Sequence, residues 1–249
     1  MKALTVLTMV LVVISGCASS GGSLDTALKN RDRAQADRDR DAGRKPAQVI
    51  QFLGIGEGMT VIDMIAASGY YTEVLSLAVG PSGKVYAQNP ASVLQYRNGA
   101  NEKALAARLN GRLANVERLD AETNDMGLPP NSIDAVVTAL NLHDIYNGMG
   151  AAAAQEAVNA VFEILKPGGV FGVIDHAGNP GANNEEMHRM EEQQAEQLLT
   201  RAGFEIESSP LLRNPNDTRN IGVFFPQIRG NTDRFLIRAT KPSVSAQGD

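Results

Sequence analysis

Past Pro46 the chain alternates short apolar runs with longer amphipathic ones, the pattern of βαβ units. Pro46 suits the first turn of a helix through Leu53 and Gly54 suits its C-terminal cap, after which residues 60–65 read as a buried first strand. A helix follows over 69–79, a second strand over 84–88, a helix over 93–109, and strands over 115–119 and 133–140. The alanine-rich stretch 152–165 is a helix, and Lys166-Pro167-Gly168-Gly169 places a fixed φ and then a positive φ where a tight turn needs them, before a fifth strand over 170–174. A helix over 185–202 stops at Gly203. The last apolar segments, 204–211 and 233–240, have no helix between them and are expected to pair antiparallel. The class is α/β: a doubly wound, mostly parallel seven-stranded sheet with an antiparallel C-terminal strand pair, over residues 46–241, followed by a flexible tail at 242–249.

The segment before Pro46 is of another kind. Lys2 precedes twelve uncharged residues, 3–14, and the small residues Ser15, Gly16 and Cys17. A span of the bilayer needs about 20 apolar residues, so the run reads as the core of a signal peptide, 1–16, that is removed. Ile14-Ser15-Gly16-Cys17 resembles a bacterial lipobox, which implies lipidation at Cys17; an ordinary signal peptide is the alternative. Residues 17–23 are then a lipid-anchored tether, and the protein is exported to the periplasmic side of a bacterial membrane. Loss of Lys2 moves the net charge from -5 to -6. No basic stripe stands clear of neighbouring acids, which excludes a nucleic-acid partner, and with Cys17 the only cysteine no thiol remains for disulfides, structural zinc or a nucleophile. Residues 24–45 read as a charged N-terminal helix on the surface, with pairs such as Arg33 and Asp37; its other reading is a basic lid over an anionic ligand.

In a sheet of this type the ligand crevice lies beyond the carboxyl ends of the strands, which singles out residues 63–69, 88–90, 141–144 and 175–177. Two of the three histidines fall there, each beside an acid: His143-Asp144 after the fourth strand and Asp175-His176 after the fifth, with His188 in the next helix. As catalytic groups, His143 or His176 is a general base oriented by Asp144 or Asp175. A second reading gives His143, Asp144, Asp175, His176 and His188 to a divalent metal that activates water, although their spacing matches no established metal motif. A third is a non-catalytic ligand-binding lipoprotein.

Several of these segments resemble the class I S-adenosylmethionine-dependent methyltransferases, which have a Rossmann-like fold. Val61-Ile62-Asp63 through Ser68-Gly69-Tyr70 sits where that family carries an acid and a glycine-rich turn, Asp120-Ala121-Glu122 resembles its adenine-side acidic segment, and Ile164-Leu165-Lys166-Pro167-Gly168-Gly169 resembles its turn before the fifth strand. More narrowly, Arg44-Lys45-Pro46, Gly69-Tyr70-Tyr71-Thr72, Leu212-Arg213-Asn214-Pro215 and Arg229-Gly230-Asn231-Thr232-Asp233 look like an exported bacterial subgroup of predicted methyltransferases, over residues 38–241. The resemblance implies S-adenosyl-L-methionine as cofactor, methyl transfer to a small molecule, and cofactor contacts from Asp63, Ala67, Gly69, Tyr70, Asn89, Asp120, Ala121 and Asn141. It also suggests Tyr70 and Tyr71 against the sulfonium and Arg213 and Arg229 for an anionic acceptor. Two departures stand out. Ile65 and Ala67 replace glycines at which backbone approaches the cofactor, and Gln88-Asn89-Pro90 has an amide where an acid binds both ribose hydroxyls.

Overall fold

The computed structural model describes residues 21–243. The stretch expected to be a signal peptide, Cys17, the start of the expected tether and residues 244–249 lie outside the described residues. Two short helices, α1 (Gly21–Leu28) and α2 (Gln35–Arg44), precede α3 (Pro46–Leu53), which has Pro46 at its start and Gly54 as a left-handed cap. Then come β1 (Thr60–Met64), α4 (Tyr70–Val79), β2 (Lys84–Asn89), α5 (Ala91–Leu109), β3 (Val116–Asp120) and β4 (Ile133–Ala139). The chain continues through α6 (Leu142–Met149), α7 (Ala151–Ile164), β5 (Leu165–His176), α8 (Glu192–Ala202), β6 (Glu205–Ser209) and β7 (Arg234–Thr240). Among the described residues no helix is long and apolar enough to cross a membrane.

The seven strands lie in the order β3-β2-β1-β4-β5-β7-β6. β1 to β5 run parallel, and β7 is antiparallel to both β5 and β6. This is the expected mostly parallel sheet with an antiparallel C-terminal pair. Side-chain alternation feeds two cores. Ile62, Met64, Val136, Phe171 and Val173 meet α7 and α8 on one face, whereas Val61, Val85, Ala135, Val137 and Ile174 meet α3 and α4 on the other. The order reverses at β1 and β4, so the ends of β1, β2, β4 and β5 open on one crevice.

Several expectations are corrected. The charged stretch 24–45 is not one surface helix. α1 begins at Gly21, inside the stretch read as a tether, buries Leu24 and Leu28 against the α3 and α4 face, and is separated from α2 by a turn. Arg33 falls in that turn, is buried, and pairs with Asp41 instead of Asp37, whose carboxylate takes Arg40 and, at 2.7 Å, Arg108. The helix read at 93–109 is broken, because Tyr96–Gly99 leave helical φ/ψ and Arg97, Asn98 and Gly99 take positive φ. α6 was not expected. The helix read from 185 begins only at Glu192, since residues 184–188 are turns and Met190 forms a bridge with Ala177. β5 extends at both ends beyond 170–174 and includes the Lys166–Gly169 segment, where its register with β4 shifts.

Candidate functional site

The turn after β1 keeps a glycine-like path without the glycines. Ile65, Ala67 and Gly69 all have positive φ, at 58°, 50° and 83°. In an L-residue this conformation costs about 1–2 kcal/mol, and a β-branched residue holds it only where surroundings over-determine it. β2 supplies those surroundings. The Ile65 N–H donates to Gln88 Oε1 at 2.9 Å, the Ala66 N–H to the Gln88 carbonyl at 2.9 Å, and the Ala67 N–H to Asn89 Oδ1 at 2.7 Å. Gln88 also donates to the Ala121 carbonyl, and Asn141 at the start of α6 donates to the Ile65 carbonyl. The buried amides at 88 and 89 therefore tie three loops together. The Asn89 oxygen already accepts from the Ala67 N–H, and its buried Nδ2 is without a hydrogen-bond partner.

Beside the turn, Asp63 is buried and accepts from Thr72 Oγ1 at 2.6 Å. Burial pushes its carboxyl up to about 7, against the opposing pull of Thr72, Arg108 and Arg44. Tyr70 does not face a sulfonium site. Its hydroxyl donates to Asp41, and the guanidinium carbons of Arg44, Arg40 and Arg33 lie 4.2, 4.9 and 5.9 Å from its ring centroid, so its π-face is already committed to cations. Tyr71 is packed edge to face against it in the core. α5 closes over Gly69. A Cβ there would meet Leu105 Cδ1 at 2.9 Å and Arg108 Cδ at 3.0 Å, and Arg108 donates to the Ser68 carbonyl while pairing with Asp37 and Glu73.

At the ends of β2 and β3 a cleft of about 710 Å³ lies against the break in α5, lined among others by Leu94, Gln95, Asn98, Asp120, Ala121 and Glu122. Asp120 is half exposed and pairs with Arg118 at 2.8 Å.

On the other side of β1 the structure gathers all three histidines. The partnerships differ from the sequence-adjacent pairs expected. Asp175, fully buried, accepts the His143 and His176 backbone N–H groups at 2.8 and 2.7 Å, and its Oδ1 lies 2.6 Å from His143 Nδ1. His143 Nε2 and His188 Nδ1 each lie 3.2 Å from Asp144 Oδ1. His176 Nδ1 is 2.7 Å from Thr232 Oγ1, and its ring centroid is 5.7 Å from that of His143. Burial opposes charge on the His143 ring, but Asp175 and Asp144 outweigh it and hold the ring up at about 10. Burial pushes His176 the other way, down to about 3, helped by His143 and Arg234 and opposed by Asp175. A ring charged near neutral pH has no lone pair to take a proton, whereas the His176 ring is neutral and has one, although so low a titration makes it a weak acceptor.

His188 lies in a turn with φ 51°, its ring 4.9 Å from Phe224. The next residue, Arg189, fixes that turn. It is fully buried, forms a two-pronged pair with Asp217 at 3.0 and 3.1 Å, and donates to the carbonyls of Ala177 and Ile221. Arg189 and Phe224 are site residues that sequence reasoning missed, and no local spacing signals them; the sequence assigns no role to Asp217, or to Thr232 within the Arg229–Asp233 segment. Arg213 is not free to grip an acceptor, because Glu192 and Asp233 take its guanidinium; Arg229 is exposed on the loop before β7.

Residues 63–173 match the family model described as a methyltransferase domain. The ubiquinone/menaquinone biosynthesis C-methyltransferase of Pseudomonas aeruginosa is 29% identical over 195 residues, 76% of this chain and 66% of that protein. Its Pseudomonas paraeruginosa counterpart is 30% identical over 127 residues, 51% of this chain and 45% of that protein. The chain thus spans between about half and two thirds of the length of these curated relatives. A SAM dependent methyltransferase from Aquifex aeolicus superposes with a TM-score of 0.57 at 23% identity, over 79% of this chain and 89% of that one. Over residues 63–173 the chain is thus similar to methyltransferase domains, and it shares their Rossmann-like α/β fold.

Proposed function

We propose that this protein is an S-adenosylmethionine-dependent methyltransferase. One observation carries the reading: within the stretch that matches the methyltransferase domain, the turn after β1 keeps the left-handed path at 65, 67 and 69 although two of its residues are not glycine. A chain with no ligand to seat there has no reason to bear that strain. The donor set also fits the group. The cleft beside Asp120 offers carboxylates, amides and an apolar wall to an adenosine, and Asn89 Nδ2 is a buried donor without a partner next to it. Asp63 suits an ammonium at the methionine end. When bound, S-adenosylmethionine supplies a methyl group on a reactive sulfonium, so the protein's part is to align and to move a proton. His176 is placed for the latter, its Nδ1 held by Thr232, with His143 fixed beside it by Asp175.

The acceptor is a small apolar molecule. Phe224, 64% exposed, lies against His188 and its chain neighbour Phe225 is 55% exposed, an apolar rim at the histidine end of the crevice, and the curated relatives are C-methyltransferases of quinone biosynthesis. Working outside the inner membrane, the protein is held by a lipid on Cys17. Cys17→Ala is expected to shift it from the membrane to the soluble periplasmic fraction; unchanged membrane association after fractionation contradicts the anchor.

Asp63 gives the site a pH dependence of definite sign. Its folded carboxyl titrates near 7, and a cationic partner needs the carboxylate, so binding below that point must first remove a proton. Cofactor affinity should weaken by about tenfold per pH unit below 7 and level off above it. Calorimetric titrations from pH 5.5 to 7.5 check this, and the slope should vanish in Asp63→Asn. An equal slope in that variant removes Asp63 from cofactor binding.

A further inference from the structure

We propose that His143, Asp144 and His188 form a binding site for one divalent first-row transition ion, which nothing in the methyl-transfer chemistry requires. Their donor atoms, one from each side chain, all lie within 4.8 Å of one another. Two donors held about 2.0–2.2 Å from one ion at tetrahedral or octahedral angles stand roughly 2.8–3.6 Å apart. The His143 Nε2 to Asp144 Oδ1 and Asp144 Oδ1 to His188 Nδ1 separations, both 3.2 Å, are edges of such a polyhedron. Two imidazoles and one carboxylate suit zinc, iron(II), cobalt or manganese, and exclude the all-oxygen sites of calcium.

The supporting shell is of the kind metal sites use. A ligating histidine commonly gives its other ring N–H to a carboxylate, which fixes the tautomer and aims the free nitrogen at the ion. Asp175 stands in that position, fully buried, 2.6 Å from His143 Nδ1 and also accepting the His143 backbone N–H. The ion then takes the place of the proton shared between His143 Nε2 and Asp144. On the third side, the buried Arg189–Asp217 pair clamps the chain next to His188, which holds left-handed φ and presents its ring to Asp144. The groups differ in accessibility as an ion site needs: His143 is buried, His188 partly open, and Asp144 exposed at the mouth. Three protein ligands leave further positions for water or for an oxygen-bearing group of a substrate.

The test is made on the purified full-length protein, stripped with chelator and titrated with Co²⁺ and then Zn²⁺. One Co²⁺ per chain is expected, with ligand-field absorption in the visible that Zn²⁺ displaces. His188→Ala, at a partly exposed position, should keep the fold and lose the absorption; Asp175→Asn should weaken Co²⁺ by about 10–100-fold. Arg213→Ala should bind as the parent does. Absence of a saturable Co²⁺ signal, or an unchanged signal in His188→Ala, overturns the site. Because no cofactor is added, these outcomes are independent of whether the protein binds S-adenosylmethionine.

Discussion

Replacing Arg189 by methionine is expected to remove about 3–5 kcal/mol of stability, since Asp217 is left charged, buried and unpaired. The pair is dry on both sides, with 0% and 1% of the two side chains exposed, and Arg189 also satisfies the carbonyls of Ala177 and Ile221. The matching change at Arg213, whose partners leave its side chain 30% exposed, should cost no more than about 1 kcal/mol. Urea denaturation of both variants gives the comparison. Equal midpoints would mean that the Arg189 cluster does not anchor the segment before β7. Because the clamp sits next to His188, the Arg189 variant should also lose the Co²⁺ signal at temperatures where the rest of the sheet remains folded.

His176→Ala is expected to lower turnover by about 10²–10⁴-fold with cofactor affinity unchanged within twofold, the signature of a group that moves a proton and does not hold the donor. The two halves are measured separately: labelled methyl transfer to an apolar quinone-type acceptor for the rate, and calorimetry for the affinity. His176→Gln, which can still meet Thr232 but takes no proton, should behave like the alanine variant in rate. A normal rate in both would remove His176 from the chemistry. A rate lost together with affinity would assign it to cofactor binding.

The sheet was readable because each strand is an apolar run bounded by turn residues and each covering helix has its own periodicity. Pro46 and Gly54 bracketed α3 without error, and the lack of an amphipathic α-helical run between the last two strands, which holds only the 3-10 turn Pro210–Leu212, predicted their antiparallel pairing. What failed was decided by distant contacts. The i,i+4 pair of Arg33 and Asp37 presupposes a helix that begins before Arg33, whereas Arg33 is drawn inward to the Leu28 carbonyl and Asp41. α6 is eight residues long and separated from α7 only by Gly150, too short to register as a separate periodic run.

The candidate site was legible in position but not in partnership. Strand order placed His143-Asp144 and Asp175-His176 at one crevice. It did not show that Asp175 reaches across from β5 to His143, because adjacency in sequence is a poor guide to which side chains face each other. The sequence pattern puts His188 in a helix, whereas the turn before α8 brings it to Asp144. Gln88 and Asn89 are the converse case. By type they looked like weakened ribose ligands; in the fold their side chains carry the β1 turn, which explains how Ile65 and Ala67 hold a glycine's conformation.

The most direct test of the methyltransferase reading is a thermal-shift titration of the purified protein with S-adenosylmethionine and with its demethylated product. At 100 times its dissociation constant a ligand adds about 2.7 kcal/mol, which in a domain of this size raises Tm by roughly 5–10 °C. A saturable rise of that order with both compounds is the expected result. No rise with either, at concentrations up to the millimolar range, would show that the strained turn and its cleft no longer seat the cofactor and would contradict methyl transfer.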